Sequence, residues 1–247
     1  MPLISLILKY TRYGEFYGYI AEGYFQSEEE IKKSPRQMRE LAPGDIKYKD
    51  LNDDGVIDAN DQCYLGKSWF PSWSYGMGFN INYHNFDLAL FFQGVSDVSI
   101  MANGGSIDTG NGDWGASGVG IVPFTGMGLN PSNVITKALD RWTADNPRAD
   151  AWYPRMTANA TTNDNNYVNS THWLKDGSYL RLKQASLGYT LENKKLMDKG
   201  IEYLYFYLSG QNLLTFSKFK LWDPELGSNG AKYPLSRMVT LGMRVSF

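Results

Sequence analysis

The chain has 247 residues, enough for one large β domain or two ordinary ones, and is rich in Tyr (17), Phe (12), Trp (7) and Gly (25). A formal net charge of −2 leaves none of the basic footprint that nucleic acid requires, so no nucleic-acid partner is expected. No run approaches the roughly 18 apolar residues of a spanning helix, which excludes a helical span but not a β-barrel, whose half-polar strands escape hydropathy.

In chain order, Met1-Pro2-Leu3-Ile4-Ser5-Leu6-Ile7-Leu8 is apolar but lacks the basic flank and small-residue cleavage site of a secretory signal. Ser27-Glu28-Glu29-Glu30 opens a short helix, with carboxylates at the positive end of its dipole and facing solvent. Gly44 to Lys49 reads as extended. It leads into Asp50-Leu51-Asn52-Asp53-Asp54-Gly55-Val56-Ile57-Asp58-Ala59-Asn60-Asp61, which fits the calcium-loop template of oxygen ligands at alternate positions around a glycine. Asp50, Asn52, Asp54, the Val56 carbonyl, Asp58 and Asp61 are the candidate ligands, and Gly55 permits the sharp turn. Position 12 is Asp rather than Glu, which shortens bidentate reach. The alternative is an acidic turn held by Asx hydrogen bonds without metal. Cys63, the single cysteine, forbids an intrachain disulfide and reads as a small packing residue.

From residue 74 the pattern turns to period two. Tyr75, Met77, Phe79, Ile81 and Tyr83 alternate with Ser74, Gly76, Gly78, Asn80 and Asn82; His84-Asn85 turns the chain into Phe86, Leu88, Leu90 and Phe92. Together these predict a β-hairpin. Residues 103–128 are Gly-rich, Asn130-Pro131-Ser132 opens a short helix with Val134, Ile135, Ala138, Leu139 and Trp142 on one face, and 157–171 reads as exposed Thr/Asn/Asp loop. Residues 179–190 alternate with one slip of phase around Gln184-Ala185, which predicts a bulge. Residues 203–211 place Tyr203, Tyr205 and Tyr207 on one face, and Met238 to Phe247 alternates without a break. His84 and His172 have no Ser, Cys or paired carboxylate at a diagnostic spacing, so no catalytic arrangement is expected.

The connections alternate too. Residues 84–85 and 191–202 are short, whereas 94–178 and 212–237 are long, which matches the short periplasmic turns and long extracellular loops of outer-membrane barrels.

Several ordered motifs carry a resemblance. Gly14-Glu15-Phe16-Tyr17-Gly18-Tyr19, Gly23-Tyr24-Phe25-Gln26-Ser27, Pro43-Gly44-Asp45-Ile46-Lys47-Tyr48-Lys49-Asp50, Phe92-Gln93-Gly94, Asp140-Arg141-Trp142-Thr143, Tyr179-Leu180-Arg181-Leu182-Lys183, Ser209-Gly210-Gln211-Asn212-Leu213-Leu214-Thr215 and Asp223-Pro224-Glu225 resemble the C-terminal part of the SusC/RagA family of TonB-linked outer-membrane transporters. The resemblance covers about residues 12–247. It implies an all-β chain: an antiparallel transmembrane β-barrel segment, the last five or six strands of a barrel of about 22, with long extracellular loops and short surface helices. Residues 1–70 would be an extracellular loop region with the calcium-type loop, and 71–247 the strands and their loops. It further implies the cell outer membrane as location, outer-membrane lipid as surroundings, a SusD-like surface lipoprotein as partner, TonB as energy source through an N-terminal part not present here, and an oligosaccharide or peptide as cargo. So few strands cannot close a barrel, which predicts that the chain is a fragment. The competing expectation is a soluble calcium-dependent carbohydrate-binding β-sandwich; an enzyme is not expected.

Overall fold

A computed structural model describes residues 13–103, 136–156, 165–228, 230, 233 and 235–247. The apolar stretch 1–8, nearly all of the Gly-rich stretch 103–128, the helix opening at Asn130-Pro131-Ser132 and the first half of 157–171 lie outside the described residues. Strands β1 (Glu15–Gly18), β2 (Ala21–Tyr24), β3 (Ile46–Tyr48), β4 (Cys63–Ser68), β5 (Trp73–Tyr83), β6 (Phe86–Ser96), β7 (Ser99–Met101), β8 (Leu174–Asp176), β9 (Tyr179–Leu191), β10 (Tyr203–Ser217) and β11 (Met238–Ser246) dominate, with helices α1 (Glu28–Lys33) and α2 (Lys194–Met197). The chain divides by space rather than by chain order. One unit draws on Met1–Phe70, Val98–Asp176 and Leu221–Lys232, the other on Pro71–Asp97, Gly177–Lys220 and Tyr233–Phe247.

The second unit is an antiparallel sheet in the order β11-β10-β9-β6-β5. The expected hairpin is there, turned at His84, whose φ of 50° lies in the left-handed region. Directly opposed residues share a face, so the register assembles cross-strand rows. Met77, Phe92, Leu182 and Leu214 form one; Phe79, Leu90, Ala185, Gly210 and Val239 the next; Ile81, Leu88, Leu187, Leu208 and Leu241 the third; Tyr83, Phe86, Tyr189, Phe206 and Met243 the fourth. One whole face is therefore apolar. The bulge that keeps it so sits at Lys183, one residue before the predicted slip: Leu182 opposes Phe92 and Gln184 opposes Phe91, leaving Lys183 as the extra residue.

Among the described residues nothing covers that apolar face. Ile81 is 55% exposed, Leu208 47% and Leu241 79%. A soluble sandwich would bury such a face against a second sheet, so the sandwich expectation gives way to a barrel wall. Among the described residues β5 and β11 each keep one unpaired edge, and the sheet does not close into a barrel.

Around three two-stranded sheets (β1-β4, β2-β3, β7-β8), the first unit builds its core. Tyr19, Tyr24, Ile46, Tyr48, Tyr153, Trp142 and Trp173 are its main buried side chains. Trp173 is fully buried, stacks on Tyr167 at 5.3 Å and meets Tyr153 edge-on at 5.7 Å. The loop expected to be exposed over 157–171 is in its described part only partly so: Asn169 and Thr171 are exposed, whereas Asn165, Asn166 and Ser170 have no exposure. The amides of Asn165, Asn166 and Gln37 replace a strand along the free edge of β3. Asn166 Oδ1 accepts from Ile46 N at 2.8 Å, Asn165 Nδ2 donates to Ile46 O at 3.1 Å, and Gln37 donates to Ile46 O and accepts from Tyr48 N. Asp45, fully buried, is paired with Arg155 at 2.6 Å and accepts from Asn166 Nδ2 at 2.7 Å. Of the helix expected across 132–142 the described residues contain one 3-10 turn, Thr136–Leu139, with Ala138 buried.

At the edge of this core His172 Nε2 lies 3.3 Å from the Tyr24 hydroxyl, which donates to Ala151 O, and Lys175 Nζ donates to His172 O at 2.7 Å. Burial, and behind it the Lys175 ammonium, push the imidazole down to about 4, although a hydrogen bond to the Trp152 backbone works the other way. The folded state therefore holds a neutral imidazole that the unfolded chain protonates near pH 6.5. Its stability is complete above that value and falls as pH drops toward 4. Between pH 7.5 and pH 5 the detergent-solubilised chain is expected to lose about 2 kcal/mol through this site. Urea titrations followed by near-ultraviolet circular dichroism should show His172→Gln removing that part of the pH dependence.

Candidate functional site

Among the described residues, the polar face of the five-stranded sheet and the acidic loop of the other unit bring chemistry-bearing side chains together.

Each polar-face residue is the alternate partner of an apolar one. Asp87, Gln93, Arg181, Gln184, Ser186, Thr190, Tyr203, Tyr205, Tyr207, Ser209, Thr240, Arg244 and Ser246 all lie here, which settles the Tyr-rich face of β10 on the polar side. Tyr205 donates to Asp87 Oδ2 at 2.9 Å across β9, and Arg244 stands over the Tyr205 ring at 5.9 Å from its centroid. Tyr205 and Tyr207 are stacked at 5.9 Å with 23° between their planes. What lets these rings lie along the wall is the absence of a side chain beneath them. A Cβ on Gly188 would run into Tyr205 and Asp87, and one on Gly242 into Tyr207. The wall is thus a low-relief polar surface of hydroxyls, amides and the charges of Asp87, Arg181 and Arg244, suited to line a wet lumen.

The acidic loop follows β3 and ends in a 3-10 turn, Ala59–Asp61. Gly55 has φ +82°, as the template requires of its turn residue. Most of the predicted ligands accept from backbone N–H groups of their own loop. Asp50 Oδ2 takes Gly55 N, Asn52 Oδ1 takes Asp54 N, Asp54 Oδ1 takes Val56 N, and Asp58 Oδ1 takes Asn60 N, all within 3.0 Å. Asp61 has no exposure, and its two oxygens accept from Leu51 N and Asp58 N at 2.8 Å. Burial pulls its carboxyl upward, but hydrogen bonds from the Asp58, Leu51 and Asn52 N–H groups hold it below the usual range. Val56 N is occupied by Asp54, and the Val56 backbone bridges Arg36. No three His, Cys, Asp or Glu side chains among the described residues converge as a metal-holding group. Position 12 of the template, Asp61, is here the inward anchor of the loop.

Sequence reasoning found the alternation and the acidic loop. It missed the Asp87–Tyr205 bond and the Gly188 and Gly242 seats, whose only signal is a glycine on one strand opposite an aromatic on the next.

No family model matches the chain. It is 30% identical over 241 residues to TonB-dependent receptor P26 of Formosa agariphila, covering 91% of this chain and 22% of that protein. Against TonB-dependent receptor P3 of the same organism it is 28% identical over 250 residues, covering 95% of this chain and 22% of the receptor. In fold it is similar to the RagAB peptide transporter (TM-score 0.63, 23% identity, 94% of this chain and 22% of that one) and to the RagAB peptide importer in its open-open state (TM-score 0.61, 23% identity, with the same coverage). The chain spans about a fifth of the length of the relatives it matches. The barrel-wall fold is thus shared with solved RagAB structures, and the relatives in sequence are TonB-dependent receptors.

The hydrogen bonds within the acidic loop make a direct prediction. Asp61→Asn keeps the shape but leaves one buried N–H facing another donor, a loss of about 1–3 kcal/mol. Hydrogen exchange at the Leu51 and Asp58 amides should then quicken at least tenfold, whereas Asp54→Asn at the exposed rim should leave both unchanged.

Proposed function

Taking this kinship with TonB-dependent receptors as premise, we propose that the chain supplies five wall strands and the extracellular loops of a TonB-dependent importer of the SusC/RagA kind. It belongs in the cell outer membrane. One observation carries the reading: the uncovered apolar face is bounded by aromatic rings at both ends. Trp73 stands at one end and Tyr83 at the other, each 70% exposed, and ten residues of strand separate them. Ten residues span roughly 33 Å along the strand. At a tilt of about 40° that is roughly 25 Å of height, the apolar band of an outer-membrane barrel. Tyr75 and Phe216 accompany Trp73; Phe86, Tyr189 and Phe206 accompany Tyr83, as interfacial girdles do.

The register supports a direction as well. The connections at 84–85 and 192–202 leave from one end of the sheet, and every passage of the chain into the other unit leaves from the opposite end. In our reading the short connections are periplasmic and the other unit belongs to the extracellular side, where a SusD-like lipoprotein caps the barrel and an oligosaccharide or peptide enters. The TonB contact lies in the part of the relatives that this chain does not span. The polar wall faces the lumen.

A second reading concerns the acidic loop, which we propose to be a weak calcium site. What supports it is that Asp50 Oδ1 is enclosed without a hydrogen-bond partner and the Asp50 carboxyl stands within hydrogen-bonding reach of that of Asp61, a concentration of negative charge that a cation neutralises. Asp50, Asn52, Asp54, Asp58, Asp61 and the Val56 carbonyl would hold the ion.

Two outcomes follow. Leu90→Arg puts a charge at mid-height of the apolar face and should lower insertion into lipid vesicles, read by flotation, by about 2–4 kcal/mol, while Ser186→Arg on the polar face should insert normally. Equal insertion of the two variants would refute the assignment of faces. Calcium at roughly 10⁻⁴–10⁻³ M should raise the thermal unfolding midpoint of the wild-type chain and leave Asp50→Asn unmoved; no rise at saturating calcium removes the metal reading.

A further inference from the structure

The short connection from β9 to β10 carries a feature the barrel reading does not use. We propose that this connection is a docking site for the phosphate groups of membrane phospholipids, through Lys194, Lys195 and Lys199. The inference rests on the membrane reading above. Asn193 caps α2 by accepting from Lys195 N at 3.0 Å, and the turn is closed by Asp198 N to Lys194 O at 2.9 Å and Ile201 N to Leu196 O at 3.0 Å, so the lysines project from an ordered backbone. All three are exposed, and none has an ion-pair partner among the described residues. Between them Met197 is 53% exposed.

Position selects the occupant. The turn continues directly from the row Leu191, Leu204 and Val245, the last of the apolar face, just beyond the aromatic row of Tyr83, Phe86, Tyr189 and Phe206. Rings of that kind mark the level of the headgroups. Lysines immediately past them meet lipid phosphates with their charged ends while their alkyl stems, together with Met197, lie against the apolar boundary. The carboxylates nearby do not consume this charge: Glu202 accepts from the Ser246 hydroxyl at 2.9 Å and its N–H is bound to Ser246 O, which turns it toward β11, and Glu192 and Asp198 make no ion pair with the lysines. A soluble partner would need no such continuity with the lipid-facing surface.

The full chain is diluted from urea into vesicles of phosphatidylcholine, and into vesicles of phosphatidylcholine mixed with phosphatidylglycerol of the same acyl chains, and its flotation is measured at low and high salt. The wild-type chain should prefer the anionic vesicles at low salt. K194Q/K195Q/K199Q should lose that preference by at least about tenfold, given the attraction each lysine gains near an anionic surface. K32Q/K33Q/K49Q, which removes the same charge from exposed positions in the other unit, should keep it. An equal loss in both triple variants, or none in the first, overturns the docking site while leaving the membrane reading intact. A wild-type chain that floats with neither composition overturns both.

Discussion

The hydrogen bonds that hold β9 between β6 and β10 accommodate one residue more on β9 than on β6, and the lipid-facing surface depends on where that residue is spent. A strand that loses phase by one moves every later side chain to the other face. Without the extra residue at Lys183, either Leu180 and Leu182 or Leu187 and Tyr189 would turn toward the polar side, and Arg181 or Gln184 toward lipid. β10 meets the same irregularity with two residues, Asn212 and Leu213, and so keeps its phase. Asn212 takes a left-handed φ of 54° and anchors itself by donating to Ser236 O at 3.0 Å.

The other unit solves a different problem. Its strands are three to six residues long, too short to satisfy their own edges, and side-chain amides stand in for missing neighbours. Gln37, Asn165 and Asn166 all serve β3. A buried carboxylate, Asp45, is held by Arg155, by Asn166 and by the Ala42 N–H at 2.8 Å, the condition under which a buried charge does not destabilise. Aromatic rings fill what remains, Trp173 in contact with Tyr153, Tyr167, Trp152 and His172.

The sheet was legible because its signal is local. Period two in 74–92, 203–211 and 238–247, and even the slip in β9, are written in adjacent residues, and the hairpin turn at His84-Asn85 falls between them. α1 was legible for the same reason: Ser27 caps it by accepting from Glu30 N at 3.2 Å. What stayed hidden needed partners far along the chain. Asn165 and Asn166 look like loop residues until Ile46 is placed beside them, and composition alone sent that segment to the surface. The acidic loop was legible as a turn, because Asx hydrogen bonds join neighbours; whether its oxygens serve backbone or cation is a matter of geometry that spacing does not encode. Gly188 and Gly242 fit the alternation without revealing their purpose, and only the register shows that each is the space left for a tyrosine.

The interleaving of the two units along the chain has a kinetic consequence. Hairpin β5-β6 and the pair β9-β10 are closed by short connections, so they can pair early and cheaply. The core of the other unit joins residues such as Tyr24 with Ala151 and Asp45 with Arg155, separated by 127 and 110 positions, with two sheet strands threaded between. Its closure entropy is therefore spent last, after the pairing of β6 with β9 has shortened the effective distance between its parts.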